Sequence, residues 1–430
     1  MNITDDQLLE DVFSAYFNAR QKKRNTKSQV KFEMNLEHNL VELYDELRLR
    51  TWKPSCGLCF ISEEPVKREV FASPFRDRVV HHLLFDYISP IFERLFIYDS
   101  YSCRKGKGTL KALERYEHHI RACSNNYTGN CYILQLDLKG YFMSIDKTRL
   151  YNIISSDLQQ RRHRKGPYGK RWDDQVDFDF VDYLVKKILA HDPTKNVLRV
   201  GEASNWDGLP PSKSLFCQPE GIGLPIGDLT SQLFSNIYLN RLDQYCKREL
   251  KCKHYGRYVD DFYIMGSKKT ELLELVPLIR DMLKDELGVT LHPHKIHVTH
   301  YRKGTLYMGG YVLPHRRMLR RRTIWKFRRE MNRLAALMGA PEVMSPGEVK
   351  AAMATINSYL GLLCHYDTYR VRRDAMMRAE MYRYFDFTPR FTKAVMKKEP
   401  ADYETLKNID YKKQYATDRI QQRNGLQGDL

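Results

Sequence analysis

The chain contains no stretch of apolar residues long enough to cross a bilayer as a helix, which takes roughly 18 or more in a row. Its first residues, Met1-Asn2-Ile3-Thr4-Asp5-Asp6, are acidic where a secretory leader would be basic and then greasy. The expectation is therefore a soluble, intracellular protein that makes no use of a membrane. Cysteine is scattered and odd in number, nine in all, so a disulfide framework is not expected and reduced thiols are the simplest reading. One Cys-x-x-Cys is present, Cys56-Gly57-Leu58-Cys59, without a second pair at a partner spacing. A zinc site needs those further ligands, so the pair is read as structural or incidental. Acid is also short: 53 Asp and Glu stand against 71 Lys and Arg, a formal net charge of +18. Such an excess favours a polyanionic partner, nucleic acid before an anionic membrane surface.

What the chain does have is enough apolar material, 42% of 430 residues, to bury a core in two or three lobes. Its most informative stretch is Arg257-Tyr258-Val259-Asp260-Asp261-Phe262-Tyr263-Ile264-Met265. Apolar, β-branched and aromatic runs flank two adjacent acids, which reads as a β-hairpin with carboxylates at its tip. Neighbouring carboxylates repel unless a cation lies between them, and a hard divalent ion is the natural occupant; the bland alternative is a solvated acidic turn. A second acid meets the need for a partner. Tyr132-Ile133-Leu134-Gln135-Leu136-Asp137 is a buried-type strand that ends on Asp137, where an unpaired acid would be costly.

Around these acids the pattern alternates helices with short extended runs. Apolar positions at helical spacing mark residues 1–24, 35–49, 173–189, 231–250, 272–287, 349–363 and 369–382. Residues 59–72 read as extended, with Lys67 and Arg68 placed to hold phosphates or simply to line a solvated edge. Arg104, Lys105 and Lys107 sit among Gly106 and Gly108, where a backbone could approach a sugar-phosphate chain. His292, His294, His297 and His300 alternate with apolar residues and read as the polar positions of an extended segment, before metal ligands. Residues 304–313 form a second hairpin pattern. A run including Arg316, Arg317, Arg320, Arg321, Arg322, Lys326 and Arg328 is threaded by Leu319, Ile324, Trp325 and Phe327, as in a helix that packs on one side and grips phosphates on the other.

Taken in order over about residues 60–365, these motifs resemble a reverse transcriptase of the right-hand polymerase type. The resemblance implies an α+β fold with fingers, a palm built on an antiparallel sheet, and a helical thumb. The boundaries it suggests are 1–58 for an N-terminal helical extension, 59–130 for fingers, 131–313 for a palm carrying a 155–220 insertion, 314–380 for the thumb and 381–430 for a C-terminal extension. It implies two Mg²⁺ ions, or Mn²⁺, held by Asp137, Leu138, Asp260 and Asp261, with Asp261 the lesser ligand. Phe142 would be a steric gate against ribonucleotides, and Lys67, Arg68, Gly227 and Gln232 would line the nucleotide site. Lys295 would be the general acid for pyrophosphate, and Met308, Gly309 and Gly310 the primer grip. Arg104, Lys105, Lys107, Arg320, Arg321, Arg322, Lys326 and Arg328 would hold nucleic acid.

The loop Ile226-Gly227-Asp228-Leu229-Thr230-Ser231-Gln232 is similar to that of diversity-generating retroelement enzymes, which miscopy template adenines; related bacterial enzymes of phage defence share the core and carry extensions like 155–220. The partners implied are a template RNA, the cDNA product, dNTPs, a non-coding RNA, and an accessory protein or second polymerase subunit, in a bacterial cytoplasm. No integrase, RNase H or endonuclease signature is visible. Tyr403, Tyr411 or Tyr415 could prime synthesis covalently. Two other classes compete: a catalytically silent polymerase fold that binds RNA, opposed by the intact acids, and an RNA-templated RNA polymerase, opposed by Phe142.

Overall fold

The computed structural model describes residues 4–21, 25–64, 66–166 and 169–409, which divide into two compact units, Met1–Val298 and Thr299–Leu430. Tyr411 and Tyr415 lie outside the described residues. The whole is an α+β protein, and among the described residues no helix is long and apolar enough to cross a membrane.

The first unit opens with three helices, α1 (Asp5–Arg20), α2 (Lys27–Glu33) and α3 (Leu36–Arg48), the first two started by Thr4 and Thr26, whose hydroxyls accept main-chain N–H groups. Strands β1 (Gly57–Ser62) and β2 (Arg68–Ala72) form an antiparallel pair, followed by α4 (Phe75–Glu93) and α5 (Thr109–Cys123). Then come β3 (Tyr132–Leu136), the single turn α6 (Tyr141–Ser144), α7 (Lys147–Arg161), α8 (Phe178–Ala190) and β4 (Val197–Arg199), which adds in parallel to β1. Helix α9 (Leu229–Gln244) runs into a π turn at Tyr245–Glu249. Strands β5 (His254–Tyr258) and β6 (Asp261–Gly266), helix α10 (Lys269–Leu287) and β7 (His297–His300) complete the central sheet, ordered β5-β6-β3-β7. Its core gathers Leu134 and Leu136 of β3, Phe262 and Ile264 of β6, Phe234 and Leu239 of α9, and Ile279 of α10.

The second unit holds a three-stranded sheet, β8 (Thr305–Tyr307), β9 (Gly310–Leu313) and β10 (Arg316–Leu319), in the order β10-β9-β8. Helices α11 (Arg321–Met338), α12 (Pro346–Leu363), α13 (Tyr369–Met376) and α14 (Ala379–Tyr384) follow, then the pair β11 (Phe385–Phe387) and β12 (Ala394–Met396), and α15 (Tyr403–Lys407). Phe327, Met331 and Met338 of α11 close against Ile356 and Leu360 of α12 and against Tyr384, Phe385 and Phe391.

Several elements differ from the sequence expectation for identifiable reasons. The 173–189 helix starts only at Phe178, because Asp177 caps it with hydrogen bonds from the Asp179 and Phe180 amides. The 291–298 segment is broken by a turn at Pro293 and His294, so the strand itself holds His297 and His300 alone. Arg316, Arg317 and Leu319 pair with β9 as a strand, and the basic helix begins at Arg321. The 369–382 helix breaks at Met377 and Arg378. Part of the stretch set apart as a C-terminal extension packs into the second unit: Phe385, Phe391 and Ala394 are buried in its core.

Candidate active site

Antiparallel pairing carries the three acids to one end of the central sheet. Leu136 of β3 faces Phe262 of β6, so Asp137, the next residue along, arrives beside Asp261. Tyr258 of β5 faces Asp261 of β6, which leaves Val259 and Asp260 as a two-residue hairpin turn. Val259 has φ 56°, the left-handed region a β-branched residue rarely enters, whereas this handedness suits a tight hairpin.

Electrostatics mark the three acids as a strained group. Burial, followed by the charge of Asp137, pushes the Asp260 carboxyl up to about 6. Burial, a hydrogen bond with Asp137 and the charge of Asp260 push Asp261 up to about 8; its side chain opens to solvent on one side, which tempers that rise. The Lys295 ammonium donates to Asp137 Oδ2 at 2.8 Å. Burial works against its charge, but the carboxylates of Asp137, Asp261 and Asp260 outweigh burial and raise its pKa. Lys295 is therefore a cation among the acids, where it offsets their repulsion.

Among the described residues, no three His, Cys, Asp or Glu side chains converge as a ready-made metal cage. Hard divalent cations take carboxylate oxygens and complete their shell with water and substrate phosphates. The Asp137, Asp260 and Asp261 oxygens are the hard donors such an ion takes. Leu138 has its side chain in the core and bridges to Leu291 through the main chain, so any share in metal binding falls to its carbonyl.

Phe142 is half-buried on α6 and packs with Cys59, Phe71, Met143 and Leu215, the same cluster that Ile226 joins. Gly227 has φ 148°, and a β-carbon there would collide with the Phe71 carbonyl. The Phe71 amide donates to the Ile226 carbonyl at 2.8 Å, so this loop is sewn to β2. Gln232 lies half-buried on the first turn of α9. Phe142, the Gly227 loop and the β1–β2 pair thus meet. Arg68 opens β2 half-exposed, while Lys67 donates to the Asp207 carbonyl at 2.7 Å.

The glycine-flanked basic loop does different work from that expected. Arg104 is held by Glu93 and by the Ile97 and Ser100 carbonyls, with its side chain 6% exposed over Phe96. Lys107 donates to the Tyr98 carbonyl and stands 3.4 Å over the Tyr98 ring. Both close the loop on itself, and the Arg104 guanidinium is taken up by Glu93 and main-chain carbonyls; Lys107 is half-exposed and Lys105 exposed.

Within the second unit, Met308 and Gly309 form the β8–β9 turn with φ 46° and 81°, and Gly310 starts β9, buried. Arg320 precedes α11 and is exposed, as are Arg321, Arg322 and Arg328 on the helix, whose Phe327 and Met331 are buried; Lys326 is half-exposed. Tyr403 donates to Glu380 and stacks under Arg383 and Lys407.

Sequence reasoning missed the support beneath the acids. Arg257 and Asp243 are both fully buried and form a two-pronged ion pair, with Nε to Oδ1 and Nη2 to Oδ2 each 2.7 Å. The available signal was an arginine between the aromatic Tyr255 and Tyr258 of β5. Glu69 is another missed residue, buried on β2 and accepting from Trp206, Ser214 and the Leu215 amide of the insertion.

Residues 179–313 match the family described as reverse transcriptase (RNA-dependent DNA polymerase), a range that includes Asp260 and Asp261 and begins after Asp137. Over these residues the chain is similar to a reverse transcriptase domain. A protein described as an uncharacterized 91 kDa protein in cob intron, from Schizosaccharomyces pombe, is 24% identical over 179 residues, 42% of this chain. The chain spans 17% of that relative's length. Among solved structures, an apo telomerase from Candida tropicalis truncated from its C-terminal domain aligns with a TM-score of 0.43 at 11% identity, covering 62% of this chain and 55% of that one. A telomerase from Candida albicans in complex with a fragment of telomeric RNA aligns with a TM-score of 0.41 at 10% identity, covering 81% and 64%.

Proposed function

We propose that this chain is an RNA-directed DNA polymerase that extends a primer on a dedicated RNA template by two-metal nucleotidyl transfer. The observation that carries the reading is the convergence of Asp137, Asp260 and Asp261 at one end of the β3–β6 pair, with the Asp260 and Asp261 carboxyls pushed up by burial and by neighbouring carboxylates. Mg²⁺ bound there would lower the pKa of a primer 3′-hydroxyl and stabilise the leaving pyrophosphate. Asp260 and Asp137 would hold the ions, with Asp261 assisting. Lys295, already protonated against Asp137, is placed to give a proton to the leaving group. The Phe142 ring, packed against the cluster of Cys59, Phe71, Met143 and Leu215, limits room at the sugar and selects dNTPs. Arg68 takes the triphosphate, with the Gly227 loop and Gln232 below the templating base.

Divisions into fingers (59–130), palm (131–313) and thumb (from 314) belong to the same reading, as do the primer grip at Met308–Gly310 and the phosphate contacts of Arg320, Arg321, Arg322, Lys326 and Arg328. The Ile226 to Gln232 loop supports a retroelement enzyme of the diversity-generating type, with phage defence the other cellular role; the curated relative, by contrast, is an intron protein. A non-coding RNA and an accessory protein are the partners this role needs.

Primer extension on an RNA template, with each dNTP and NTP and a range of Mg²⁺, tests the activity. Extension by dNTPs that Asp260→Ala abolishes is the expected result. No extension by the wild-type chain, or undiminished extension by the variant, would overturn it. Sequencing the product separates the cellular roles, since faithful copying of template adenines removes the diversity-generating one.

A further inference from the structure

The turn that presents Asp260 is made by residues poorly suited to it. Val259 is β-branched and sits at φ 56°, so the turn does not hold itself and something must fix it from outside. The Val259 carbonyl accepts from Arg257 Nη1 at 2.9 Å. Arg257 is 0% exposed, and its remaining donors go to Asp243, to Asn236 Oδ1 at 3.3 Å and to Ser100 Oγ at 3.3 Å. Every N–H of the guanidinium is thus directed, which fixes its plane.

Its anchors are themselves anchored. Asp243 also accepts from the Tyr255 hydroxyl at 2.6 Å, and Asn236 donates to the Ser102 carbonyl at 2.8 Å. Asn236 and Asp243 lie seven residues apart on α9, two turns along one face. The strand backbone is tied as well: the Arg257 amide donates to the Asp99 carbonyl, and the Tyr101 amide to the Arg257 carbonyl. A lysine would supply the charge but not the fork.

We propose that Arg257, locked by Asp243, is a positioning residue that holds the Val259 carbonyl and so sets the direction in which Asp260 meets the metal. The proposal rests on the polymerase reading of the acids and deepens it by naming what holds them.

Arg257→Lys keeps a buried cation and removes the fork. Two readouts apply: Mn²⁺ binding with a non-hydrolysable dNTP, followed by electron paramagnetic resonance, and the Mg²⁺ dependence of primer extension. Expected is a loss of metal affinity of about 10-fold or more, as for other residues that orient metal ligands, with the dNTP KM at saturating Mg²⁺ moved less than about 2-fold. Adding Val259→Gly, which lets the turn take its left-handed conformation unaided, restores at least half of the lost affinity. Unchanged metal affinity in folded R257K, or no rescue by V259G, overturns the proposal. If R257K does not fold, the paired swap R257M/D243L leaves no uncompensated buried charge and is read the same way. Failure of both to fold marks the pair as purely structural and also overturns it. A wild-type chain that binds Mn²⁺ at these acids without extending a primer would sink the polymerase reading and leave the positioning test standing.

Discussion

Asp260 and Asp261 carry a stability cost that follows directly from their shifted carboxyls. Both fold with pKa values above those of the unfolded chain, at about 6 and about 8. The folded state therefore binds more protons between about pH 4 and 8, and metal-free stability falls as pH rises through that window. Asp260→Asn should flatten this slope, raise the metal-free melting temperature near pH 8 by about 2–4 °C and abolish extension, with a smaller gain from Asp261→Asn because that side chain is open to solvent. Calorimetry across pH 5–9 without metal checks it, and a variant melting below the wild type at pH 8 would count against the site. Phe142 makes a second residue-scale case. Phe142→Ala should admit ribonucleotides, narrowing dNTP over NTP preference by at least about 10-fold in single-nucleotide extension, because the ring's volume against the Cys59, Phe71, Met143 and Leu215 cluster is what the 2′-hydroxyl would need. Unchanged selectivity would return Phe142 to the core. At this scale the acids were legible because burying an acid at a strand end has few explanations. Arg257 and Asp243 were not, since their meaning lies in a pairing between α9 and β5 that no local pattern encodes.

Among the elements, the Ile226–Gln232 loop shows how sequence can mark a place for one reason while structure supplies another. Gly227 was singled out as a nucleotide contact, yet its φ of 148° and the closeness of the Phe71 carbonyl account for glycine without any ligand. Gly227→Ala should push the loop off β2 and break the Phe71 to Ile226 hydrogen bond, costing about 1–3 kcal/mol in denaturant unfolding. A neutral result would remove the close approach as the reason. Helix and strand existence was largely readable from periodicity, whereas their ends depended on caps. Asp177 moved the start of α8, and β10 took Arg316 to Leu319 because β9 offered it an edge, a long-range fact that overrides a basic run with helical spacing. The region beyond 380 read as uninformative for the same reason: β11 and β12 are three residues each and owe their form to pairing and to the burial of Phe385 and Ala394.

For the molecule as a whole, a charge of +18 predicts nucleic-acid affinity but does not say which cations are responsible. The structure separates two kinds. Arg321, Arg322 and Arg328 are exposed on α11, as is Trp325, which is 58% exposed with Arg329 over its ring at 4.7 Å. Arg104 spends its guanidinium on Glu93 and two carbonyls inside the first unit. RNA–DNA duplex binding measured from about 50 to 200 mM salt tells them apart, because each phosphate contact releases counterions and adds roughly 0.7–0.9 to the slope of log affinity against log salt. Arg321→Gln with Arg322→Gln should weaken binding and reduce that slope by between one and two such increments, with the melting temperature nearly unchanged. Arg104→Gln should leave the slope alone and lower stability by about 1.5–3 kcal/mol, the size expected when charged hydrogen bonds in a closed loop are lost. The reverse pattern would return Arg104 to the nucleic-acid interface and take the α11 arginines out of it. Net charge is thus a property of the chain, but affinity for a polyanion belongs to those cations whose donors the fold has left unspent.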